Sequence, residues 1–190
     1  MESSLLIDKY LPEFQFHKAH RVTVNAPPEK VYAAARGLLT REMPMPVKCM
    51  LMMRMIPARL AGNRETPIDD GRPFLDQMCR SGFILLEEDK PREIVFGTIG
   101  QFWKLSPVML TVENPPAFME FNKPEFAKVA ANLAVLSENG GVALFTETRI
   151  EVPDEAARRT FARYWKLISL GSGWIRVMWL NAIKKKAERA

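Results

Sequence analysis

Cysteine and histidine are scarce in this sequence, which narrows the chemistry open to the chain. Its 190 residues include two cysteines and two histidines. Cys49 and Cys79 lack the short spacing that metal sites use. His17 and His20 lie three positions apart where a strand begins, so their side chains cannot converge as they would on a helix. We therefore expect no metal site, and free thiols in a reducing, cytoplasmic compartment.

Long apolar runs, basic tracts and glycine-rich loops are also missing. Without a run of about 18 apolar residues, no transmembrane helix is expected, and an acidic second residue with no long apolar core argues against a signal peptide. There is no Lys/Arg run with interleaved aromatic residues, which argues against nucleic-acid binding. The triplet Gly171-Ser172-Gly173 lacks the strand before it and the lysine after it that a phosphate loop needs. We expect no bound cofactor.

The composition suits one folded domain. Hydrophobic residues make up 47% of the chain, and the net charge is +5, with much of the excess near the C-terminus. A chain of this length most often forms one domain, so we predict a single domain over 1–190. Residues 1–19 are predicted to form a lead-in whose leucine-rich part makes a short turn on the surface. The oligomeric state is left open between monomer and homodimer.

A long amphipathic helix is predicted over 154–187. Apolar residues recur there at spacings of three and four, acidic residues begin the segment, and Lys184 to Lys186 end it, as the helix dipole favours. At 1.5 Å per residue the helix would be about 50 Å long, longer than a domain of this size is wide, so it must overhang or bend. Gly171 and Gly173 mark where the helix would bend. Because Gly171 falls on the apolar stripe, we predict that the helix backbone approaches another element closely there. The bend either packs on a sheet or covers a ligand cavity.

Alternating apolar and polar residues predict the strands. They are expected at 20–26, 83–87, 92–103, 117–122, 128–137 and 142–152, with a brief pairing within 108–112. Helices are predicted over 28–39, 47–59 and 72–80. Gly97 and Gly100 inside a strand indicate a bent sheet or a close approach. This order predicts an α+β, helix-grip fold, in which a curved antiparallel β-sheet wraps around a long C-terminal α-helix and leaves a cavity between them.

Two segments carry a resemblance to a known superfamily. VNAPPEKVYAAAR at 24–36 has a strand, a proline-marked turn, a glutamate and a helix with a valine–aromatic pair, and FTETRIEVPDEAARRTFARYWKLI at 145–168 joins a strand to a long helix. Both resemble the START-related superfamily often called SRPBCC, which includes the polyketide cyclase/dehydrase-like proteins. The resemblance implies the helix-grip fold, with a ligand cavity between the helix and the concave sheet.

The polar candidates for a site are few. Glu147 and Arg149 share one face of a strand. On the concave face they would place a charge pair at an apolar cavity, where a buried arginine can hold a carboxylate or phosphate. The alternative is an exposed pair that contributes little. Met50 and Met53, in the predicted helix 47–59, form either an adaptable wall of the cavity or a loosely packed core helix. The other ligand-binding candidates are Phe96, Thr98, Trp103, Trp165, Ile168 and Trp179.

Three functions are compatible with these features. The favoured hypothesis is binding, transport or sensing of a small hydrophobic or amphiphilic ligand in the internal cavity. The alternative is an enzyme resembling the polyketide cyclases or dehydratases, with Glu147 or His20 as the acid–base group. A third is contact with an anionic membrane through the last helix, using Trp174, Trp179, Arg176 and Lys184 to Lys186. The apolar stripe of that helix is needed to cover the sheet, which argues against the membrane hypothesis.

Overall fold

The computed structural model describes residues 4–47, 71–104, 107–138 and 141–189, and these residues define the architecture. The predicted helix 47–59, with Met50 and Met53, and the predicted loop at 63–71 lie outside them, apart from their end residues Val47 and Gly71. In chain order the elements are α1 (Ile7–Tyr10), β1 (Phe16–Val24), α2 (Pro28–Arg36), a 3-10 turn (Thr40–Glu42), α3 (Phe74–Arg80), β2 (Ile84–Asp89), β3 (Glu93–Gln101), β4 (Val108–Leu110), α4 (Pro115–Glu120), β5 (Ala127–Glu138), β6 (Gly141–Glu151) and α5 (Glu155–Ala187).

The strands form one antiparallel sheet in the order β1-β6-β5-β3-β2, and β4 pairs with the end of β3. The long helix α5 lies against β1 and α2. The predicted α+β class, with an antiparallel sheet and a long C-terminal helix in the helix-grip arrangement, is therefore confirmed. β1 begins at Phe16, so the lead-in before the sheet is shorter than the predicted 1–19.

The concave face of the sheet packs against α5 and α2. Because side chains alternate along a strand, one face of β1 and β6 carries Val22, Val24 and Leu144 toward the core that contains Trp179 and Ile183 of α5. All of them except half-buried Val22 are almost fully buried. Burial of such side chains contributes roughly 1.5–3 kcal/mol each, which makes this core the main attachment of α5.

The convex face is covered by α1 and α4. Ile7 and Leu11 at the N-terminus and Phe118 of α4 pack on Val95 and Ile99 of β3. At Gly97, an added Cβ atom would lie 2.7 Å from Cε2 of Phe118. The close approach predicted for this glycine is confirmed, because only hydrogen fits between the strand and the phenyl ring.

Residues 115–120 form a helix, so the strand predicted over 117–122 is wrong. Asn114 precedes the helix, and its side chain accepts a hydrogen bond from the backbone N–H of Ala117. Pro115 and Pro116 occupy the first two helical positions, where a missing N–H loses no bond. The asparagine cap and the two prolines are helix-start signals that outweigh the short apolar run after them.

Helix α5 runs without interruption from Glu155 to Ala187. Asp154 caps it by accepting a hydrogen bond from Ala157 N at 2.6 Å. The predicted close approach falls at Gly173, not at Gly171: a Cβ at Gly171 would meet nothing within 4 Å. None of the helices in the described segments has the length and apolar character needed to cross a membrane.

Candidate functional site

Two aromatic clusters flank the middle of the concave face. In one, Trp179 of α5 lies 6.4 Å from Phe96 of β3, measured between ring centroids. In the other, Phe161 of α5 is surrounded by Trp103 at 5.6 Å and Trp165 at 6.1 Å. The structure therefore brings Phe96 together with Trp179, and Trp103 together with Trp165. The two pairs belong to different clusters.

A polar patch on β1 and β6 interrupts the apolar concave face. The strand register sets Lys18 opposite Thr148 and His20 opposite Thr146, so all four side chains share the face toward α5. Thr146 and Thr148 are buried, and Lys18 and His20 are half-buried. We call these four residues and Arg176 the concave polar patch.

Helix α5 closes over this patch with Gly173 and Arg176. A Cβ at Gly173 would lie 3.2 Å from Nε2 of His20 and 3.5 Å from Cε of Lys18, so the helix backbone rests on these two side chains. One turn later, Arg176 Nη1 donates a hydrogen bond to Thr146 Oγ1 at 3.1 Å. Thr146 in turn donates to Asn132 O at 2.6 Å.

Two polar atoms of the patch, and one on Trp179 of the neighbouring aromatic cluster, have no hydrogen-bond partner. Within the described parts of the chain, Nε2 of His20, Oγ1 of Thr148 and Nε1 of Trp179 are buried and unpaired. Leaving a buried donor or acceptor unpaired costs roughly 1–3 kcal/mol. Two of these atoms belong to the concave polar patch, and groups of this kind are completed in proteins by ordered water or by a bound molecule.

The patch is cationic and lacks a compensating acid. Burial lowers the pKa of Arg176 to about 10. Burial also lowers the pKa of His20, and the nearby charges of Arg176 and Lys18 lower it further. No described carboxylate forms an ion pair with Lys18 or Arg176. An anion placed here would gain from both cations. The lowered pKa of His20 means that its imidazole takes up a proton less readily than a free imidazole.

Glu147 and Arg149 lie on the opposite, convex face, away from the concave polar patch. Arg149 donates to both carboxylate oxygens of Glu147, at 2.8 and 3.2 Å, and contacts Asp8 at 2.7 Å. His17 Nε2 lies 2.9 Å from Glu147 Oε1. Burial alone would lower the pKa of Arg149, but the bonds to Glu147 and Asp8 outweigh it and raise that pKa. The pair shares a strand face as predicted, but it is neither exposed nor on the concave side.

A second buried carboxylate completes the convex network. Glu93 is fully buried and accepts hydrogen bonds from Leu6 N at 2.6 Å, Ile7 N at 3.4 Å and Asn132 Nδ2 at 2.7 Å. The amide oxygen of Asn132 accepts from the backbone N–H of Glu147. The polar groups of this network bond to one another and hold the N-terminal segment on the sheet. Arg149 is already paired with Glu147 and Asp8, so the network offers no unpaired cation to a ligand.

A cavity of about 230 Å³ opens at the other end of the concave face, beneath α3. Its walls are mainly apolar and include Phe96, so it adjoins the cluster around Trp179. Arg36 and Asp76 at this cavity are paired at 2.6 Å. The predicted cavity lay between α5 and the sheet. The cavity described above lies under α3 and meets that space at Phe96.

The remaining predicted site residues have other surroundings. Thr98 is buried and donates to Gly82 O at 2.9 Å, so its hydroxyl is already used. Ile168 is half-buried on α5. In the parts of the chain that are described, no group of three or more His, Cys, Asp or Glu side chains is placed to hold a metal ion.

Sequence reasoning missed most of the concave polar patch, although a signal for it was present. Thr146 and Thr148 stand at the alternate positions of β6 that also carry Leu144 and Ile150, and Lys18 and His20 continue the series of Val22 and Val24. Polar residues at core-facing positions depart from the strand pattern, and such departures are expected at functional or strained sites. His20 was identified; Arg176 was considered only for a membrane surface.

Comparisons with known proteins add a structural similarity. No protein-family model matches the sequence, and no curated protein matches it. Among solved structures, the Zhui aromatase/cyclase from Streptomyces sp. R1128 is similar at 14% sequence identity and a TM-score of 0.30, over 92% of this chain and 94% of that chain. A TM-score this low carries no argument about the fold or the site, so the helix-grip assignment rests on this chain's own sheet order and helix.

Proposed function

We propose that this protein binds a small amphiphile with an acidic head, and that the concave polar patch holds the head. The supporting observation is the unpaired buried atoms on His20 and Thr148 beside Lys18 and Arg176, two cations without a described carboxylate partner. A carboxylate or phosphate accepts several hydrogen bonds at once and offsets both charges. The same molecule would supply hydrogen-bond partners to buried polar atoms that are otherwise left unpaired at a cost in free energy.

The apolar surroundings support an amphiphile over a free inorganic anion. Trp165 and Phe161 lie on one side of the patch, and Trp179 and Phe96 lie on the other. These aromatic side chains are already largely buried, so the gain comes from the ligand's own apolar area, worth about 25 cal/mol per Å² removed from water. This arrangement, a mainly apolar site with a few convergent polar groups, is common in small-molecule sites.

Binding of a fatty acid and of its alcohol tests this function. Decanoate and decanol share a chain and differ in the head, so isothermal titration calorimetry should give tighter binding for decanoate. Replacing Arg176 with methionine keeps most of the apolar stem and removes the charge. Because a hydrogen bond to a charged group contributes roughly 1.5–3 kcal/mol, decanoate affinity should fall about 10- to 150-fold while decanol affinity stays the same.

Lys123→Met is the matched control, since Lys123 is an exposed cation between α4 and β5. It should leave both affinities unchanged. Equal affinity for decanoate and decanol, or a loss of both in Arg176→Met with its fold intact by circular dichroism, would contradict the acidic-head proposal.

Acid–base catalysis at the same patch is the second candidate function, favoured by the buried Nε2 of His20. In this case the imidazole takes a proton from the carbon next to a ligand carbonyl, and Arg176 with Lys18 holds the resulting enolate oxygen. Returning a deuteron from solvent closes the cycle. The assay is deuterium incorporation into 3-oxodecanoate, followed by NMR. His20→Gln should abolish incorporation and keep decanoate binding; absence of incorporation in the wild type leaves binding as the function.

A further inference from the structure

Helix α5 carries a second apolar stripe on the side away from the sheet. Leu167 is 81% exposed, Leu170 77%, Trp174 57% and Val177 37%. Their spacings of three, four and three residues put them on one side of the helix. The inward side already covers the sheet with other residues, so the outer stripe has no partner within the described chain. A contiguous apolar patch of this kind marks an interaction surface, unlike singly scattered residues.

The stripe is bordered by positive charge. Arg163 and Lys166 precede it and Lys185 follows it, all exposed on the same helix. From Ala156 to Ala187 the helix contains no acidic residue; Glu155 is its only carboxylate. Exposed apolar side chains flanked by cations are complementary to a partner that has an anionic surface and an apolar interior.

A second copy of the chain is a poorer complement. In an antiparallel pairing of two such helices centred on the stripe, the cations at each end would meet the polar or basic end of the partner helix. No carboxylate between Ala156 and Ala187 would be available to compensate them. Like charges brought together are destabilising, whereas an anionic lipid head offsets each cation.

We propose that the outer face of α5 docks on an anionic lipid bilayer, with Leu167, Leu170 and Trp174 entering the interface between head groups and acyl chains. Exposed leucine and tryptophan on one helix face, with basic residues beside them, are what interfacial helices use. Lys184 and Lys186 do not belong to this surface, because they donate to Thr23 O and Gly37 O on the protein's own body. The docking face is thus nearer the middle of α5 than the lysine-rich end.

Vesicle sedimentation of the full chain tests the proposal. At low salt it should bind vesicles of phosphatidylcholine with phosphatidylserine, bind pure phosphatidylcholine far more weakly, and dissociate as salt rises. Arg163→Gln combined with Lys166→Gln should lower the partition coefficient roughly 20- to 30-fold, because each cation near an anionic surface contributes about fivefold. Leu170→Ser combined with Trp174→Ser should abolish binding.

Two control variants test whether vesicle binding depends on this surface or on any exposed cation or apolar side chain of the protein. Lys104→Gln combined with Lys123→Gln removes two exposed cations elsewhere, and Met119→Ser removes an exposed apolar side chain of α4; both should bind vesicles like the wild type. The proposal is overturned by no sedimentation with anionic vesicles at low salt, or by equal loss in the control variants. It is also overturned if light scattering shows a dimer that Leu170→Ser dissociates, which would assign the stripe to a second copy.

Discussion

Two glycines of α5, separated by one residue, are expected to respond in opposite ways to the same substitution. Gly171 faces open space, with nothing within 4 Å of an added Cβ, whereas a Cβ at Gly173 would lie 3.2 and 3.3 Å from the imidazole of His20. We therefore compare Gly171→Leu with Gly173→Leu. Both remove a flexible residue from the middle of the same helix, so the gain in helix propensity is matched.

The size of the difference follows from propensity and packing. Leucine in place of glycine inside a helix gains roughly 0.8 kcal/mol. At Gly171 nothing opposes this gain, and for a chain of this length the melting temperature should rise by about 2–3 °C. At Gly173 the leucine must displace His20 and Lys18, and overpacking costs roughly 1–3 kcal/mol. The net effect there is a free energy of unfolding unchanged or lower by up to about 2 kcal/mol.

Urea unfolding and calorimetric melting of the two variants measure this difference. Gly173→Leu should also weaken decanoate binding, because its side chain displaces His20 and Lys18 of the concave polar patch, and Gly171→Leu should keep it. If Gly173→Leu stabilised the protein as much as Gly171→Leu, the helix would not rest on β1 at this point. The contact between α5 and the concave polar patch would then be refuted.

Two further predictions concern buried titratable groups. Glu93→Ala should lower the free energy of unfolding by roughly 2–4 kcal/mol, because it leaves Asn132 and two backbone donors unpaired, and early proteolysis near α1 should accompany the loss. His20 has a folded-state pKa below its ordinary value of 6.5, so the unfolded chain binds the proton more readily. Wild-type stability should therefore fall as the pH drops through about 6.5, and His20→Gln should weaken that dependence in urea titrations.

The order of helices and strands could be predicted because local signals agree with the fold. Alternation marked β5 and β6, the proline turn marked the start of α2, and Asp154 with the terminal lysines marked the two ends of α5. The segment after Asn114 was misassigned because its short apolar run was weighed without the cap and the two prolines that begin a helix.

The site was harder to predict because strand parity does not say which face is concave. Glu147 and Arg149 were correctly placed on one face, but only the pairing of β6 with β1 and the position of α1 show that this face is convex. Likewise, Gly171 and Gly173 both lie in the predicted bend. The exact rotation of α5 on the sheet, which depends on packing of Trp179 and Ile183, decides which glycine makes the contact.

The concave polar patch and the convex network differ in how many of their buried polar atoms have hydrogen-bond partners. That difference supports placing the proposed ligand site on the concave face. On the convex face, Arg149 and Glu93 bond to other groups of the chain, and removing one partner would leave a buried charge in a strongly unfavourable environment. Such a network stabilises the fold and gains nothing from a ligand. On the concave face, His20 and Thr148 retain unpaired buried atoms beside the charge of Arg176. A bound molecule that completes those bonds should raise the melting temperature through the concave polar patch and leave the convex network unchanged.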